Sequence, residues 1–333
     1  MDLTNIKTVL KDQPKFRYKQ VDKAIYQDLI EDWLEATNLP VNLRQELKKE
    51  CPLEIKAELS GQGDNQKALI TLADGLKIET VLIKHRDGRN TVCVSSQVGC
   101  LMGCVFCATG KIGFRRNLEE EEIVEQVLFF ARALKKIGQK ISNVVFMGMG
   151  EPFLNYENVI KSIRFMNSSE GLNLGARRFS ISTAGVTHGI KNLAKENLDV
   201  NLALSLHAAN NDLRSVLMPI NKKFPLNKVL KAIDEYIEIT RRRVMFEYIL
   251  INEINDSPEH ARQLAALVKG KLGFVNLIPY NKTDIFKPST TERIKKFKEI
   301  LEKERVSVVQ RQSFGQDIEA ACGQLAGKEK RKR

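Results

Sequence analysis

From Thr91 onward the chain alternates apolar runs with amphipathic segments, and this alternation limits the possible folds more than any other feature of the sequence. Runs such as VVFM, NLALSL and FEYILI are apolar almost throughout, as is typical of strands covered on both faces. Six strand–helix units with short connections predict a parallel sheet. The predicted strands cover 91–96, 143–149, 178–183, 200–206, 243–251 and 274–280, and a final strand covers 306–312.

The predicted helices that follow these strands cover 119–137, 156–167, 188–195, 226–240, 258–269 and 290–304. A complete eight-unit barrel needs about 250 residues, which is more than this region offers. We therefore predict an α/β fold built on a partial (βα)6 barrel of the TIM type.

Two smaller regions precede the predicted barrel. Residues 1–52 are predicted to form a helical accessory domain, because apolar residues recur at helical spacing from Val21 to Trp33 and in VNLRQELKKE. Residues 53–85 are predicted to form a β-meander linker, with the turn signals GQGDNQ and ADG between its strands. The predicted meander strands cover 54–59, 67–72 and 77–84, the core covers 86–325, and 326–333 is predicted to be a basic disordered tail.

Small or polar residues end the predicted core strands, at the edge where α/β folds bind ligands. The second strand ends in MGMGEP, a Gly-rich turn whose carboxylate, Glu151, is able to hold an ammonium group. The third strand ends in SISTAG, the fourth in SLHAAN and the sixth in PYN. Each hydroxyl or amide taken alone is typical of a turn or helix cap, and His207 alone fits a packed core imidazole equally well. Their recurrence around one cysteine loop indicates a binding site.

That loop follows the first core strand and reads CLMGCVFC, with Cys100, Cys104 and Cys107 at C-x3-C-x2-C spacing. Three thiolates placed so closely can converge on one inorganic centre, and three ligands on a four-iron cubane leave one iron open. Thiolate is the usual protein ligand of iron–sulfur clusters. A zinc site with a fourth ligand from elsewhere, or three unrelated core thiols, are the alternatives. Clustering on a Gly-rich loop favours the iron–sulfur interpretation.

The remaining cysteines lie far apart in the sequence. Cys93 lies on the first core strand, and Cys322 follows the last strand on a C-terminal loop. A thiol followed by Gly on such a loop can be mobile and exposed, as reactivity requires, although a buried thiol fits Cys322 as well. Cys51 is interpreted as a buried thiol.

Charge and composition indicate the kind of partner and the location. The net charge of +12 favours a polyanionic partner, with nucleic acid first, although a basic surface also serves solubility. The sequence has no apolar run of about 18 residues and no apolar signal core near its N-terminus. We expect a cytoplasmic protein with no membrane contact, in which cysteines serve catalysis or metal binding rather than disulfides.

The motifs CVSSQVGC, CLMGCVFC, FMGMGEP, ISTAGV, LSLHAAN, LMPIN, NLIPYN and FGQDIEAACGQL occur in this order. The identity and order of these motifs, over nearly the whole chain, resemble those of the radical S-adenosylmethionine (radical SAM) adenine methyltransferases of the RlmN/Cfr type. Enzymes of that type act on large-subunit ribosomal RNA. The resemblance implies that Cys100, Cys104 and Cys107 hold a [4Fe-4S] cluster. It also implies a site for S-adenosyl-L-methionine lined by Gly150, Glu151, Ser182, Ser205, Leu206, His207 and Asn281.

The same resemblance implies a mechanism that consumes two molecules of S-adenosylmethionine per turnover. Cys322 would accept a methyl group from one molecule, and a radical generated from the second would abstract hydrogen from that methyl group. The carbon radical would add to adenine, Glu79 would remove the ring proton, and Cys93 would attack Cys322 to release the product with a transient disulfide. Because C2 and C8 of adenine are not nucleophilic, a polar methyl transfer would fail there, which accounts for a radical route.

Within the family, MGMGEP, HAAN and FEYILI resemble the C2-methylating RlmN branch, whereas Ala108-Thr109-Gly110 resembles the C8-methylating resistance branch. We expect C2 methylation, with transfer RNA as an additional substrate, a flavodoxin-like electron donor and a monomeric protein. The alternatives are C8 methylation of the same adenine, a radical SAM enzyme with a small-molecule or peptide substrate, and an RNA-binding module with structural zinc.

Overall fold

The computed structural model describes residues 1, 3, 5–61, 63, 65–283, 286–311 and 319–326. Their helices are α1 (Ile6–Val9), α2 (Phe16–Tyr26), α3 (Val41–Glu50), α4 (Ala108–Lys111), α5 (Glu120–Lys135), α6 (Tyr156–Asn167), α7 (Thr187–Leu193), α8 (Asn211–Leu217), α9 (Leu226–Thr240), α10 (Pro258–Val268) and α11 (Thr291–Lys303). Their strands are β1 (Ala57–Ser60), β2 (Asn65–Thr71), β3 (Lys77–Lys84), β4 (Asn90–Val94), β5 (Gln97–Gly99), β6 (Phe114–Asn117), β7 (Asn143–Phe146), β8 (Phe179–Thr183), β9 (Asn201–Ser205), β10 (Val244–Leu250), β11 (Gly273–Pro279) and β12 (Val308–Gln310).

One ten-stranded sheet organises the chain, in the spatial order β1-β2-β3-β4-β7-β8-β9-β10-β11-β12. All neighbours from β4 to β12 are parallel, and β4 with β7 to β11 are the strands of the six predicted units. In the part of the chain described, the end strands β1 and β12 do not pair with each other, so the sheet stays open. The predicted α/β fold with a parallel-dominated, partial barrel is confirmed.

Local sequence explains where the core helices begin. At the start of α5 the backbone N–H of Glu119 donates to the Glu122 carboxylate at 2.9 Å, and the run of glutamates places negative charge at the positive end of the helix. Before α10, Ser257 accepts a hydrogen bond from the N–H of His260, and Pro258 fills the first helical position. The helices then cover strands such as β9 and β10, which are buried nearly throughout.

The meander β1–β3 is antiparallel and joins the core sheet through β3 and β4, with Val81 opposite Cys93. The strand β3 spans the predicted bounds, whereas β1 begins three residues later than predicted and β2 two residues earlier. The turn residues Gln62 and Asp64 lie outside the described residues. Because hydrogen bonds continue from the meander into the core, the meander is part of one sheet. The division of the chain into domains stays a prediction.

The buried residues of the N-terminal helices belong to the same hydrophobic cluster as the core, and hydrogen bonds join the two regions. Trp33 is buried and its indole N–H donates to the carbonyl of Cys51 at 2.6 Å, while Cys51 itself is buried. Arg132 of α5 donates to the carbonyl of Leu53 at 2.9 Å. The predicted helix in VNLRQELKKE is confirmed as α3.

Short elements of the core were not predicted: the hairpin of β5 and β6, which holds the cysteine loop, the four-residue helix α4 and the seven-residue helix α8. Gln312, at the end of the last predicted strand, lies outside the described residues, as does the predicted tail from Gly327 onward. Among the described helices, none combines the length and apolar character needed to cross a bilayer.

Candidate active site

The cysteine loop is fixed at its base by the β5–β6 hairpin. Gly99, at the end of β5, adopts a φ of +79°, and a Cβ built on it would lie 1.7 Å from the carbonyl oxygen of Gly113. That carbonyl accepts a hydrogen bond from the N–H of Cys100 at 3.0 Å. Further along, the N–H of Val105 donates to the carbonyl of Leu217, which anchors the loop tip to α8. Backbone contacts therefore define the shape of the loop.

The three thiols of Cys100, Cys104 and Cys107 line one cavity of about 160 Å³ at the C-terminal ends of the core strands. Burial raises the pKa of Cys100 to about 12 and the pKa of Cys104 well above its ordinary value. Thiols whose pKa is raised in this way ionise readily only beside a cation, which is what the irons of a cluster would supply. No three His, Cys, Asp or Glu side chains in the described ranges group closely enough for a single metal ion. A cubane does not require such a group, since each thiolate binds its own iron, so this donor set fits a cluster.

The turn after β7 brings Glu151 to the same cavity. Gly150 has a φ of +102°, and a Cβ built on it would lie 2.6 Å from the Cβ of Gln97, so only glycine fits there. The buried Glu151 carboxylate accepts hydrogen bonds from Thr183 Oγ1 and the N–H of Ala184, both at 2.7 Å. Burial raises its pKa, while these hydrogen bonds oppose the rise. A negative group held in this way can orient a cation.

Two predicted serines lie on neighbouring strands and share a carboxylate that was not predicted from the sequence. Ser182 Oγ donates to Glu247 Oε2 at 2.6 Å and lies 3.1 Å from Ser205 Oγ. Glu247 is buried on β10, and among the described residues its Oε1 has no hydrogen-bond partner. The nearest cation is Arg311, whose Nη1 lies 3.8 Å away. The only signal in the sequence was a single carboxylate inside the apolar run FEYILI.

His207 is a buried residue in the left-handed region, with a φ of +59°. Its Nδ1 accepts a hydrogen bond from the N–H of Ile249 at 3.1 Å, which assigns the ring proton to Nε2. Burial, with a smaller effect of Arg214, lowers the pKa of His207 to about 3, so the ring is neutral. Leu206 is buried behind it, and its carbonyl accepts from Arg214 Nε.

A second cavity, of about 90 Å³, brings together the two remaining predicted reactive cysteines. Cys93 on β4 and Cys322 both line it, beside Cys107, Asn281 and Arg311. Burial raises the pKa of Cys93 to about 12 and raises the pKa of Cys322, while Arg311 lowers both. Asn281 Nδ2 donates to the Cys322 carbonyl at 3.2 Å. No disulfide joins cysteines in the described part of the chain.

Glu79 lies on β3 and is almost fully buried. Its Oε1 pairs with Lys67 Nζ at 2.8 Å, and its Oε2 accepts from the N–H of Ala326 at 2.6 Å. The carboxylate therefore reaches the segment that carries Cys322, although Glu79 does not line either cavity.

Most of the residues predicted for the site lie together. The first cavity is lined by Cys100, Cys104, Cys107, Gly150, Glu151, Ser182, Ser205, His207 and Cys322. Cys93 and Asn281 line the adjoining second cavity, and Leu206 and Glu79 line neither. Three neighbours of the site were not predicted: Glu247, Arg311 and Lys67. The roles assigned to all these residues stay predictions.

Comparison with known proteins adds the following similarities. The profile of the Radical SAM superfamily matches residues 94–265. A probable dual-specificity RNA methyltransferase RlmN of Dictyoglomus thermophilum is 47% identical over 330 residues, which cover 97% of this chain and 94% of the relative. A protein of the same description from Streptococcus gordonii is 45% identical, with 94% and 89% covered. The crystal structure of a radical SAM methyltransferase from Sphaerobacter thermophilus superimposes with a TM-score of 0.92 at 42% identity and covers 98% of both chains.

Proposed function

The chain belongs to the RlmN family of the radical SAM superfamily, and on this basis we propose that it methylates C2 of an adenine in large-subunit ribosomal RNA. The observation that carries the proposal is the placement of Cys93 and Cys322 in one cavity that adjoins the cavity of the three loop cysteines. A radical SAM enzyme that needed only its cluster would have no use for two further thiols at this position. Transfer RNA is the second proposed substrate, because the relatives are described as dual-specificity enzymes.

In this proposal Cys100, Cys104 and Cys107 hold a [4Fe-4S] cluster, with Glu151 beside them at the same cavity. Gly150, Glu151, Ser182, Ser205, Leu206, His207 and Asn281 bind S-adenosyl-L-methionine, two molecules per turnover. When bound, these groups supply a methyl group and, after one-electron reduction by a flavodoxin-like donor, a route to a carbon radical. The neutral imidazole of His207, held by its hydrogen bond, and Gly150 line the cavity in which the cofactor would bind.

The two cysteines of the second cavity perform the transfer. Cys322 Sγ loses its proton and accepts the methyl group, and after hydrogen abstraction the methylene carbon forms a bond to C2 of adenine. Glu79 accepts the proton from C2, and the unpaired electron of the adduct would leave to the oxidised cluster. Cys93 as a thiolate then attacks Cys322 Sγ, and the sulfur–carbon bond breaks. The bonding electron pair stays on the carbon, which takes up a proton to become the methyl group of the product, and a disulfide remains on the enzyme.

Arg311 supplies the charge that this sequence of steps needs. Cys93 is buried and Cys322 is half-buried, and the loss of solvent opposes the thiolate forms that accept a methyl group or attack sulfur. The guanidinium lowers the pKa of both groups, and it lines both cavities. A fixed cation at this place favours whichever sulfur is ionised at each step.

The runner-up is C8 methylation of the same adenine, which Ala108-Thr109-Gly110 favours. Thr109 Oγ1 donates to the carbonyl of Leu325 at 2.6 Å, so this motif touches the segment that carries Cys322. Glu79 and the two thiols serve either ring carbon, and the site geometry does not separate the two products.

The predicted monomeric state and cytoplasmic location stay predictions.

The test is mass spectrometry of nucleosides from unmodified ribosomal RNA and transfer RNA treated with anaerobically reconstituted protein, S-adenosylmethionine and a reductant. We expect 2-methyladenosine from both RNAs. An 8-methyladenosine peak would move the enzyme to the C8 branch. Cleavage of the cofactor without either product would show that the substrate is not RNA of this kind.

A further inference from the structure

Residues 319–326, here called the cysteine segment, carry Cys322 and are fastened at both ends to the meander. Near the first end, Lys67 Nζ of β2 donates to the carbonyl of Glu319 at 3.2 Å. At the second end, the N–H of Ala326 donates to Glu79 Oε2 of β3 at 2.6 Å. Lys67 and Glu79 are themselves joined by the 2.8 Å ion pair, and their side chains are only 9% and 2% exposed.

The placement of this pair follows from the register of the meander. Lys67 lies opposite Val81, and Glu79 lies opposite Leu69, so the two charged residues are diagonal neighbours on one face of the sheet. A buried ion pair is costly to desolvate, and well-packed apolar side chains often replace such pairs without loss of stability. Here each partner also makes a hydrogen bond to the cysteine segment. The pair therefore holds this segment in addition to any effect on the stability of the fold.

Other contacts hold the middle of the cysteine segment from the opposite side. The N–H of Ala108, next to the cluster cysteines, donates to the carbonyl of Gly323 at 2.7 Å. Asn281 Nδ2 donates to the carbonyl of Cys322. The cysteine loop and Asn281 thus hold the middle of the segment, and Thr109 holds Leu325 near its second end. The meander pair adds one hydrogen bond at each end.

We propose that Lys67 is a positioning residue for Cys322, and that Lys67 and Glu79 form a two-point clamp on the cysteine segment. The inference rests on the proposed role of Cys322 as methyl carrier and extends it. It gives Glu79 a second task, because the oxygen that accepts from Ala326 belongs to the carboxylate proposed to take the proton from adenine. Lifting the cysteine segment withdraws this donor, so the methyl carrier and the proton acceptor are released in one movement.

The test compares reconstituted full-length Lys67→Met, which removes the charge and the donor at nearly constant volume, with the wild type. We expect hydrogen–deuterium exchange of the amides of 319–326 to be about tenfold faster, and alkylation of Cys322 by iodoacetamide to be faster as well. Lys67→Arg keeps both hydrogen bonds and restores the wild-type rates. The matched control is Lys77→Met on β3, whose Nζ lies 3.6 Å from Glu58 in a more exposed pair. It leaves both rates unchanged.

A second variant covers the case in which Lys67→Met does not fold. Ala326→Pro removes the N–H that donates to Glu79, at the edge of the described chain, and also fixes the backbone φ of residue 326, so it should loosen the second end of the segment. Wild-type exchange and alkylation rates in whichever variant folds would overturn the clamp. The methylated fraction of Cys322, measured by peptide mass spectrometry with S-adenosylmethionine, separates the two proposals. If the wild type is never methylated at Cys322, the proposed function fails, while the exchange result still decides the clamp.

Discussion

At the scale of single residues, Glu247 offers one carboxylate oxygen to a ligand. Its Oε2 is taken by Ser182, whereas Oε1 has no hydrogen-bond partner among the described residues, and Glu247 lines the cavity proposed for the cofactor. A buried acceptor left unpaired is costly, so a donor on the bound cofactor is its natural partner. Glu247→Gln should weaken binding of S-adenosylmethionine by about tenfold, because an amide cannot accept on both sides.

Isothermal titration of the reconstituted protein with S-adenosylmethionine measures this change without relying on turnover. Glu238→Gln, an exposed residue of α9, is the matched control and should bind as the wild type does. Unchanged affinity in Glu247→Gln would mean that Oε1 serves Arg311 rather than the cofactor.

His207 makes a pH-dependent contribution to stability. The folded state holds its ring neutral with a pKa of about 3, whereas an unfolded histidine titrates near 6.5. As the pH falls below 6.5 the unfolded state binds a proton that the folded state does not, so the free energy of unfolding decreases, by about 2 kcal/mol at pH 5. His207→Asn retains an acceptor for the N–H of Ile249 and tolerates the positive φ, but it does not titrate.

Urea unfolding at pH 7 and pH 5 tests this difference. The wild type should lose about 2 kcal/mol more than His207→Asn between the two values. His207→Leu, which leaves the N–H of Ile249 unsatisfied, should lose about 1–3 kcal/mol already at pH 7. Equal pH dependence in wild type and His207→Asn would show that the ring titrates in the folded protein as it does in the unfolded chain.

These residues also show how far the sequence alone could predict the site. The spacing of Cys100, Cys104 and Cys107 and the hydroxyls at strand ends could be read directly, because parallel strands deliver their ends to one edge. Glu247 could not, since a lone carboxylate in a strand has the same appearance whether it faces solvent or a cavity. The position of Lys67 beside Glu79 could not be predicted either. It depends on which antiparallel strand pairs with β2 and in which register, and the local sequence encodes neither the partner strand nor the register.

At the scale of elements, the β5–β6 hairpin sets the shape of the cysteine loop. Gly99 has no room for a Cβ, whereas Gly113 has a similar φ of +74° with nothing within 4 Å of a built Cβ. Gly99→Ala should therefore displace the Gly113 carbonyl that accepts from Cys100, and should lower iron and sulfide incorporation several-fold. Gly113→Ala meets only backbone strain of about 1 kcal/mol and should incorporate normally.

Iron and acid-labile sulfide analysis after reconstitution, with circular dichroism to confirm folding, measures the effect. Equal incorporation in both variants would show that the loop adapts freely around the cluster, and that the hairpin is not its scaffold. The comparison is informative because both substitutions add one methyl group at a positive φ.

Elements were predictable where they were long. Helices α6 and α9 have the predicted bounds, and the parallel strands were recognisable from apolar runs that are buried on both faces. The hairpin was missed because β5 has three residues and β6 has four, too few for a period of two to stand out. For α8, Asn210 caps the helix by accepting from the N–H of Leu213, but the segment is short and was interpreted as a strand-end loop.

At the scale of the whole molecule, the net charge of +12 and an isoelectric point near 9.3 suit a polyanionic substrate. Five of the cations lie in the last six residues, in the predicted tail outside the described residues: Lys328, Lys330, Arg331, Lys332 and Arg333. Phosphate contacts supply affinity without sequence information, since they depend on charge rather than base identity. The tail should therefore strengthen RNA binding and leave the site of methylation unchanged.

Replacing these five residues by Gln should weaken binding to ribosomal RNA at low salt. The slope of log affinity against log salt should fall by roughly 0.7–0.9 for each phosphate that the tail no longer neutralises. The matched control removes the same charge from five exposed lysines elsewhere on the surface: Lys195, Lys231, Lys295, Lys296 and Lys303. If the tail contacts RNA directly, the tail variant shows a larger decrease than the control variant in RNA affinity and in the salt-dependence slope. Both variants then give the same methylated nucleoside. If both decrease equally, the charge acts only through the field of the whole protein, which steers association and does not depend on where the cations lie.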